Sequence, residues 1–210
     1  MKKKDIALLS VEALEKLYPD AICSLNYGSA FQLLIATRLS AQCTDARVNL
    51  VTPELFSRFP TSAALSKAEL KDVEEIIKSC GLYKTKAHDI IAAAKMIEEI
   101  YGGNLPDTIE ELTKLPGIGR KTANLVMGDV YHKPAVVCDT HFIRITNRLG
   151  LTKSTNPLIV EKELRKLLPP DKSSDFCHRI VLFGRDICTA RKAFCEKCPL
   201  NDFCPKVLKK

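Results

Sequence analysis

The chain has 210 residues, of which 46% are hydrophobic and 27% charged, and its formal net charge is +7. This is a globular composition, long enough for one large domain or two small ones, and no apolar run approaches the roughly 18 residues of a membrane span. The basic cluster at residues 2–4 has no apolar segment behind it, so we expect no secretory signal and a cytoplasmic protein; the positive charge permits a polyanionic partner without proving one.

The hydrophobic pattern predicts one helix after another. Capping-box spacing at residues 29–32 and 66–69 predicts helix starts before two apolar runs. Apolar residues at helical spacing continue through residues 90–100, and Gly102 and Gly103 are expected to end that helix.

The second half of the chain continues the pattern. Residues 108–111 are expected to open a short helix, and Asn156 followed by Pro157 predicts the start of another. The best β-like run, residues 135–137, is too short to found a sheet. We therefore predict an all-α protein.

The segment TKLPGIGRKTAN, residues 113–124, lies between two helical runs. Gly117 and Gly119 predict a tight turn whose amides a phosphate can approach, and the helix expected from about Arg120 points its positive dipole at the same place. Ile118 would help to pack the two helices together. The alternative is an ordinary helix–helix corner, but the basic pair after the glycines favours a sequence-independent grip on a phosphate.

Lys121 falls in the first turn of that second helix, where the helix dipole opposes a positive charge. This repulsion, together with partial burial, would favour the neutral amine, which can attack C1′ of a deoxyribose, displace the base and form a Schiff base. The alternative, slightly favoured by spacing alone, is a lysine that only contacts a phosphate.

Asp139 shifts that balance. It directly precedes a helical run and is predicted to be its N-cap. A carboxylate fixed in this way stays ionised, and it can orient an amine, take up protons and stabilise positive charge on a sugar. His141, two residues further on, is interpreted as structural.

Nine cysteines fall into two groups. The scattered ones are interpreted as small buried hydrophobes in a reducing compartment: Cys23, Cys43, Cys80, Cys138 and Cys177. The others form the pattern C-x6-C-x2-C-x5-C near the end of the chain: Cys188, Cys195, Cys198 and Cys204. Such crowded thiolates favour a metal centre over disulfides, and the spacing alone leaves open whether it holds zinc or a [4Fe–4S] cluster.

Five separated motifs together resemble the endonuclease III family of helix–hairpin–helix DNA glycosylases. They are LSAQCTD at 39–45, GLYKTKA at 81–87, LPGIGRKTAN at 115–124, DTH at 139–141 and the cysteine pattern, and they cover essentially the whole chain in that family's order. The resemblance implies a base-excision repair enzyme that removes oxidised pyrimidines from duplex DNA and cleaves abasic sites by β-elimination. It also implies that Lys121 is the nucleophile and Asp139 the essential carboxylate.

The resemblance implies a fold as well. We expect a six-helix domain over residues 23–133, with the helix–hairpin–helix at about 108–130. Residues 1–22 and 134–210 would form a second domain, and DNA would bind in the cleft between the two domains. The expected molecule is a monomer.

Two residues match the family's positions that fill the base stack after a nucleotide has been extruded, Gln42 and Leu82. Each has a plain structural alternative, because Gln42 can simply end its helix and Leu82 can belong to the core.

The endonuclease III family uses this cysteine spacing for a [4Fe–4S] cluster, so the resemblance implies such a cluster, held by the loop at residues 188–204. We interpret the cluster as chiefly structural, ordering a basic loop in which Arg191 and Lys192 contact the DNA backbone.

Two residues depart from the expected pattern. Cys138 replaces an aliphatic residue before Asp139, a near-isosteric change, and Arg38 interrupts an apolar helix, where it either reaches the DNA or extends outward to solvent.

Three rival functions would account for parts of the sequence pattern. An adenine-removing relative typically lacks the lysine that this chain has as Lys121, and a non-catalytic DNA-binding protein would use the hairpin and cluster only for attachment. A small iron–sulfur electron carrier would leave the hairpin, Lys121 and Asp139 without a purpose.

Overall fold

The computed structural model describes residues 1–207 of the chain. This part of the chain folds into eleven α-helices and two short 3₁₀ turns, and its only β pairing is an isolated bridge between Cys188 and Ala193. The all-α prediction is confirmed, and residues 135–137 run without regular structure. None of the described helices is both long enough and apolar enough to cross a membrane.

The chain divides into two compact units, Cys23–Tyr131 and a discontinuous unit made of Met1–Ile22 with His132–Lys210. In the described chain, the first of these contains seven helices: α2 (Ala30–Leu39), α3 (Asp45–Arg58), α4 (Ser62–Ser66), α5 (Leu70–Ile76), α6 (Tyr83–Tyr101), α7 (Ile109–Leu112) and α8 (Arg120–Asp129).

Helix α2 is the buried centre of the unit Cys23–Tyr131. Its side chains Leu33, Leu34, Ile35 and Leu39 are all fully buried, as expected for a helix that is apolar on every side. Helix α8 is also largely buried along its length, so its first turn is held in place by a packed core.

The discontinuous unit contains the remaining elements: α1 (Lys3–Leu17), α9 (Thr140–Arg148), α10 (Pro157–Leu164), a 3₁₀ turn (Pro170–Lys172), α11 (Ser173–Asp186) and a second 3₁₀ turn (Cys195–Lys197). Its aromatic core includes an edge-on contact between Phe142 of α9 and Phe176 of α11, whose ring centroids lie 6.2 Å apart.

Most predicted helix starts are confirmed. Ser29, Thr108 and Asn156 each cap a helix, accepting a hydrogen bond from a backbone N–H in the first turn. The prediction for residues 66–69 was wrong: Ser66 is the last residue of α4, and Glu69 precedes α5 without a side-chain capping bond. A separate short helix ends there, and capping-box spacing alone does not distinguish a helix start from a helix end.

Candidate functional site

The predicted hairpin lies between α7 and α8, and we call residues 113–120 the phosphate hairpin. Helix α8 begins at Arg120, as predicted, and its N-cap is Gly119, which brings no side chain to cap the helix. The turn is closed by the N–H of Ile118, which donates to the carbonyl of Leu115 at 3.1 Å, and the Ile118 side chain is only 5% exposed. Ile118 therefore supports the hairpin from its buried side, and the uncapped end of α8 presents the positive end of a helix dipole.

The two glycines of the hairpin serve different purposes. Gly117 has a φ of +71°, and a Cβ there would lie 2.5 Å from both Arg38 Nε and Asp89 Oδ2. Gly119 has an ordinary φ of −94°, and a Cβ there would meet no protein atom within 4 Å. The expectation that both glycines keep space for a phosphate is thus corrected for Gly117, which is needed for the backbone turn and for packing; only at Gly119 does the missing Cβ leave open space.

Lys121 is the second residue of α8, and its side chain is exposed. The partial burial expected for it is not found, because α8 buries the residues that follow, from Thr122 onward. Lys121 therefore offers an exposed side chain in the first turn of α8, two residues after Gly119.

Asp139 is the N-cap of α9, as predicted: its Oδ1 accepts a hydrogen bond of 2.7 Å from the N–H of Phe142. The carboxyl group is half-buried. Asp139 belongs to the discontinuous unit, whereas the hairpin and Lys121 belong to the unit Cys23–Tyr131.

His141 packs inside its own unit. A Cβ at Gly184 of α11 would lie 2.6 Å from the His141 ring, which shows how closely α9 and α11 approach there. Burial lowers the pKa of His141, with the Asp139 carboxylate opposing that shift. The structural interpretation of His141 fits these contacts.

Both residues expected to fill the base stack have a left-handed backbone: φ is 55° at Gln42 and 59° at Leu82. Neither is glycine, and such strain in ordinary residues is concentrated at functional sites. Leu82 is 60% exposed, so it does not belong to the core. Gln42 lies three residues after the end of α2 at Leu39, and a left-handed residue there also fits the ending of a helix, so that alternative stays open for Gln42. A place in the base stack stays a prediction for both residues.

The loops that carry these residues, 40–44 and 79–82, lie side by side, and we call them the wedge loops. A Cβ at Gly81 would be 3.5 Å from the carbonyl oxygen of Gln42. The neighbouring thiol of Cys80 in one loop contacts that of Cys43 in the other, and burial raises the pKa of Cys80 to about 11. The two loops therefore lie against each other.

A buried lysine that the sequence analysis missed ties the bases of these loops together. Lys86 in the first part of α6 is fully buried, and its Nζ donates to the carbonyl oxygen of Leu39, at the end of α2, at 2.7 Å. Burial lowers the pKa of Lys86. Its presence within GLYKTKA was the available signal, but nothing in that motif distinguishes a buried lysine from an exposed one.

Arg38 does not extend outward to solvent but forms an ion pair with Asp89. Its guanidinium donates two hydrogen bonds to Asp89 Oδ2, of 3.1 Å from Nε and 2.6 Å from Nη2. The two side chains are only 13% and 18% exposed. This ion pair joins α2 to α6 and lies directly against Gly117 of the phosphate hairpin.

All four clustered cysteines line one cavity, which we call the cysteine cavity. Its wall is otherwise mainly apolar, with Ile145 from α9, Leu149 directly after that helix, Phe183 from α11, and Leu200. The structure therefore brings Cys188, Cys195, Cys198 and Cys204 together, as the spacing predicted.

The cavity has the donor set of a thiolate-bound metal centre, because four cysteines line it and the rest of its wall is mainly apolar. Two backbone N–H groups already point at sulfur, from Leu200 to Cys198 Sγ and from Lys206 to Cys204 Sγ, each at 3.4 Å. Such bonds stabilise the thiolates of iron–sulfur clusters.

Two arginines of α9 that the sequence analysis missed hold the start of this loop. Arg148 Nη1 donates to Cys188 Sγ at 3.2 Å and to the Thr189 carbonyl at 2.7 Å, and Arg144 Nη2 donates to the Cys188 carbonyl at 3.0 Å. Their spacing of four residues on one helix face was the signal. A guanidinium at this place also offsets the negative charge of thiolates.

Arg191 and Lys192 are both exposed on the loop between the first two cysteines. The turn is closed by Thr189, whose hydroxyl donates to the Lys192 carbonyl at 2.6 Å and accepts from its N–H at 3.0 Å. The basic pair is therefore presented to solvent on a hydrogen-bonded turn.

The interpretation of the scattered cysteines holds for two of the five. Cys80 and Cys177 are buried, whereas Cys23, Cys43 and Cys138 are half-buried. All five are free thiols.

Comparison with known proteins places this arrangement among DNA-repair proteins. The family described as HhH-GPD superfamily base excision DNA repair protein matches residues 35–170. Endonuclease III of Synechocystis sp. is 46% identical over 204 residues, which is 97% of this chain and 93% of that protein. Endonuclease III of Bacillus subtilis is 40% identical over 195 residues, or 92% of this chain and 89% of that protein.

Solved structures agree. A non-covalent endonuclease III–DNA complex matches with a TM-score of 0.91 and 40% identity, covering 98% of this chain and 96% of that chain. A trapped endonuclease III–DNA covalent intermediate matches with the same TM-score and identity, covering 98% of this chain and 97% of that chain. The resemblance seen in the sequence motifs is confirmed.

Proposed function

This chain belongs to the endonuclease III family of the HhH-GPD superfamily and is a base-excision DNA glycosylase and abasic-site lyase, and we propose that Lys121 and Asp139 carry out its chemistry on oxidised pyrimidines. Its substrate is duplex DNA with a damaged base or an abasic site. The observation that carries the proposal is an exposed lysine in the first turn of α8, whose N-terminus lacks a side-chain cap.

Lys121 is the nucleophile in this proposal. Its amine attacks C1′ of the damaged nucleotide, the C1′–N bond breaks, and the base leaves with a proton. The sugar ring opens to give a Schiff base with the lysine. Loss of a 2′ proton then breaks the C3′–O bond by β-elimination, and water releases the sugar and restores the amine.

Asp139 supplies a fixed negative charge in the same proposal. Its hydrogen bond from the Phe142 N–H holds one carboxyl oxygen, which preorganises the group. The carboxylate accepts the proton that the amine loses and stabilises the positive charge that develops on the sugar as the base departs.

Binding combines the phosphate hairpin, the wedge loops and the basic turn at Arg191 and Lys192. The uncapped end of α8 attracts one backbone phosphate, and the wedge residues Gln42 and Leu82 occupy the space left by the extruded nucleotide. We place the protein in the cytoplasm, associated with the nucleoid when it is bound to DNA.

Cys188, Cys195, Cys198 and Cys204 would hold a [4Fe–4S] cluster, because all four line one largely apolar cavity and backbone N–H groups already bond to the sulfurs of Cys198 and Cys204. When bound, the cluster fixes the fold of the cysteine loop and thereby the position of its basic turn.

Turnover on a duplex with one thymine glycol tests the proposal. Lys121→Gln should lower base release and strand cleavage by at least about 1,000-fold, because no other group replaces the nucleophile. Lys114→Gln is the matched control: this exposed lysine of the same hairpin pairs with Glu111 at 2.6 Å and should leave turnover within about twofold. Undiminished turnover of Lys121→Gln would contradict the proposal.

Asp139→Asn separates the helix-capping role of Asp139 from its role as a negative charge. It keeps an acceptor for the Phe142 N–H but removes the charge, so base release should fall by about 100-fold or more while thermal stability changes little. A normal rate of base release in Asp139→Asn would remove the carboxylate from the mechanism.

A further inference from the structure

The ion pair between Arg38 and Asp89 connects α2 with α6 and lies against Gly117 of the phosphate hairpin. Arg38 lies in the last turn of α2, four residues before Gln42. Asp89 lies in α6, whose N-cap is Leu82. The pair therefore joins the two helices from which the wedge loops emerge.

The same pair forms the surface on which the phosphate hairpin rests. Gly117 takes a left-handed turn there, and the space that its Cβ would occupy is filled by Arg38 Nε on one side and Asp89 Oδ2 on the other, both at 2.5 Å. Any rotation of the guanidinium or the carboxylate therefore moves against the backbone of the hairpin.

A second link fixes the geometry beside the pair. Lys86 bonds from α6 to the Leu39 carbonyl, one residue after Arg38. Together with Arg38–Asp89, it gives α2 and α6 two polar connections close to the wedge loops, so the two helices cannot slide past each other without breaking buried hydrogen bonds.

We propose that the Arg38–Asp89 ion pair is a positioning element that holds the phosphate hairpin in register with the wedge loops, so that gripping the phosphate and filling the base stack occur at a fixed separation. The two residues touch no reacting atom in this scheme. The inference rests on the proposed DNA chemistry and extends it to residues without an assigned role. The Arg38 guanidinium also offsets the negative charge of the Asp89 carboxylate, which lies next to the phosphate hairpin.

The test compares affinity for two duplexes, one undamaged and one containing a tetrahydrofuran abasic analogue that the enzyme cannot cleave. Undamaged DNA reports mainly phosphate contacts, whereas the abasic duplex also reports insertion of the wedge. The quantity of interest is the affinity for the abasic duplex divided by the affinity for the undamaged duplex. It is measured for the full-length, cluster-loaded protein.

Arg38→Leu and Asp89→Asn should each reduce this ratio by about tenfold, and the double variant should lose no more than the worse single variant, because both changes break one interaction. Arg38→Lys, which keeps the charge but loses the two-bond geometry, should give an intermediate loss of about threefold. If Arg38→Leu fails to fold, Asp89→Asn and Arg38→Lys carry the test.

The matched control is Arg58→Leu, which breaks the exposed pair between Arg58 and Asp72, of 2.8 Å, between α3 and α5 of the same unit. It should leave the ratio unchanged. Equal losses on both duplexes that follow the melting temperature would mean that Arg38–Asp89 is structural only, and tighter binding of undamaged DNA by Asp89→Asn would mean that Arg38 contacts phosphate itself. Either result overturns the proposal.

Failure of the underlying function has a different signature. In that case the unmodified protein itself would bind both duplexes equally. If only the positioning role fails, the unmodified protein still prefers the abasic duplex, and every variant shows the same preference.

Discussion

The phosphate hairpin and the cysteine loop both present basic groups to DNA, but they keep their shapes by different means. The hairpin is held by the protein alone: Gly117 rests on the Arg38–Asp89 pair, and Ile118 is buried beneath the turn. The cysteine loop lines the cysteine cavity and contains just one 3₁₀ turn and one isolated bridge between Cys188 and Ala193.

The backbones of the two regions are therefore restrained by different interactions. Around the hairpin, apolar packing and buried polar bonds restrain the backbone whether or not a ligand is bound. The cysteine loop has little regular structure, and beyond the hydrogen bonds from Arg144 and Arg148 we expect its shape to depend on bonds from sulfur to a metal centre. Changes to the metal centre should therefore affect the loop and leave the hairpin intact.

Removal of one cysteine ligand should give the largest effect on DNA binding. Cys198→Ser is expected to lower the iron bound per chain and to weaken DNA binding by up to about 100-fold, since the basic turn loses its support. Iron analysis measures the iron bound per chain, and equilibrium titration measures the affinity for DNA. Hydrogen exchange at the backbone amides of the phosphate hairpin should not change.

The control for this variant is Cys23→Ser, a half-buried cysteine of the other unit, which should keep its iron. Hairpin amides that exchange faster in Cys198→Ser would show that the two regions are not independent.

The two hairpin glycines should differ when each is changed to alanine. Gly117→Ala should cost about 2–3 kcal/mol of unfolding free energy, because it strains a positive φ and forces a Cβ into Arg38 and Asp89. Gly119→Ala should leave stability unchanged, since its Cβ meets open space, yet weaken DNA binding several-fold. Chemical denaturation and DNA titration give the two quantities; a stable Gly117→Ala protein would contradict this account of the hairpin.

Arg148 and Arg191 sharpen the contrast within the discontinuous unit. Arg148→Ala should weaken retention of the cluster by about tenfold, because Arg148 bonds to Cys188 Sγ and to the Thr189 carbonyl. Arg191→Ala removes an exposed charge and should leave retention unchanged. The rate of iron loss to a chelator distinguishes the two variants. Equal rates in both would contradict the assignment of Arg148 as a residue that helps to retain the cluster.

Salt dependence should show the smallest change. If about five phosphates are neutralised, log K should fall with log salt at a slope of roughly −4 to −5, and Arg191→Ala should reduce its magnitude by about one. Gly117→Ala carries no charge change and should leave the slope as it is. A flat salt response of the unmodified protein would argue against contact with the DNA backbone.

Local signals in the sequence were sufficient for much of this structure. Helical spacing predicted the all-α fold, and short-range capping predicted Asp139 and the start of α8, because these features depend on neighbouring residues. The same rules failed at Ser66, where two short helices follow one another.

Long-range partners could not be predicted in this way. Arg38 was noticed as an interruption of an apolar helix, but its partner lies 51 residues away in α6. Lys86 and Arg148 look like ordinary charged residues, and only the fold shows one of them buried against Leu39 and the other bonded to Cys188. Exposure of Lys121 likewise depends on which face of α8 the core covers.

Borohydride trapping tests the central claim most directly. The cluster-loaded protein is mixed with a duplex carrying an abasic site, sodium borohydride is added, and the adduct is located by peptide mass spectrometry. The account predicts a covalent protein–DNA product attached at Lys121, lost in Lys121→Gln and retained in Lys114→Gln, because hydride reduces only a Schiff base that has formed. An adduct at another residue, or no adduct with active protein, would contradict the assignment of Lys121 as the nucleophile.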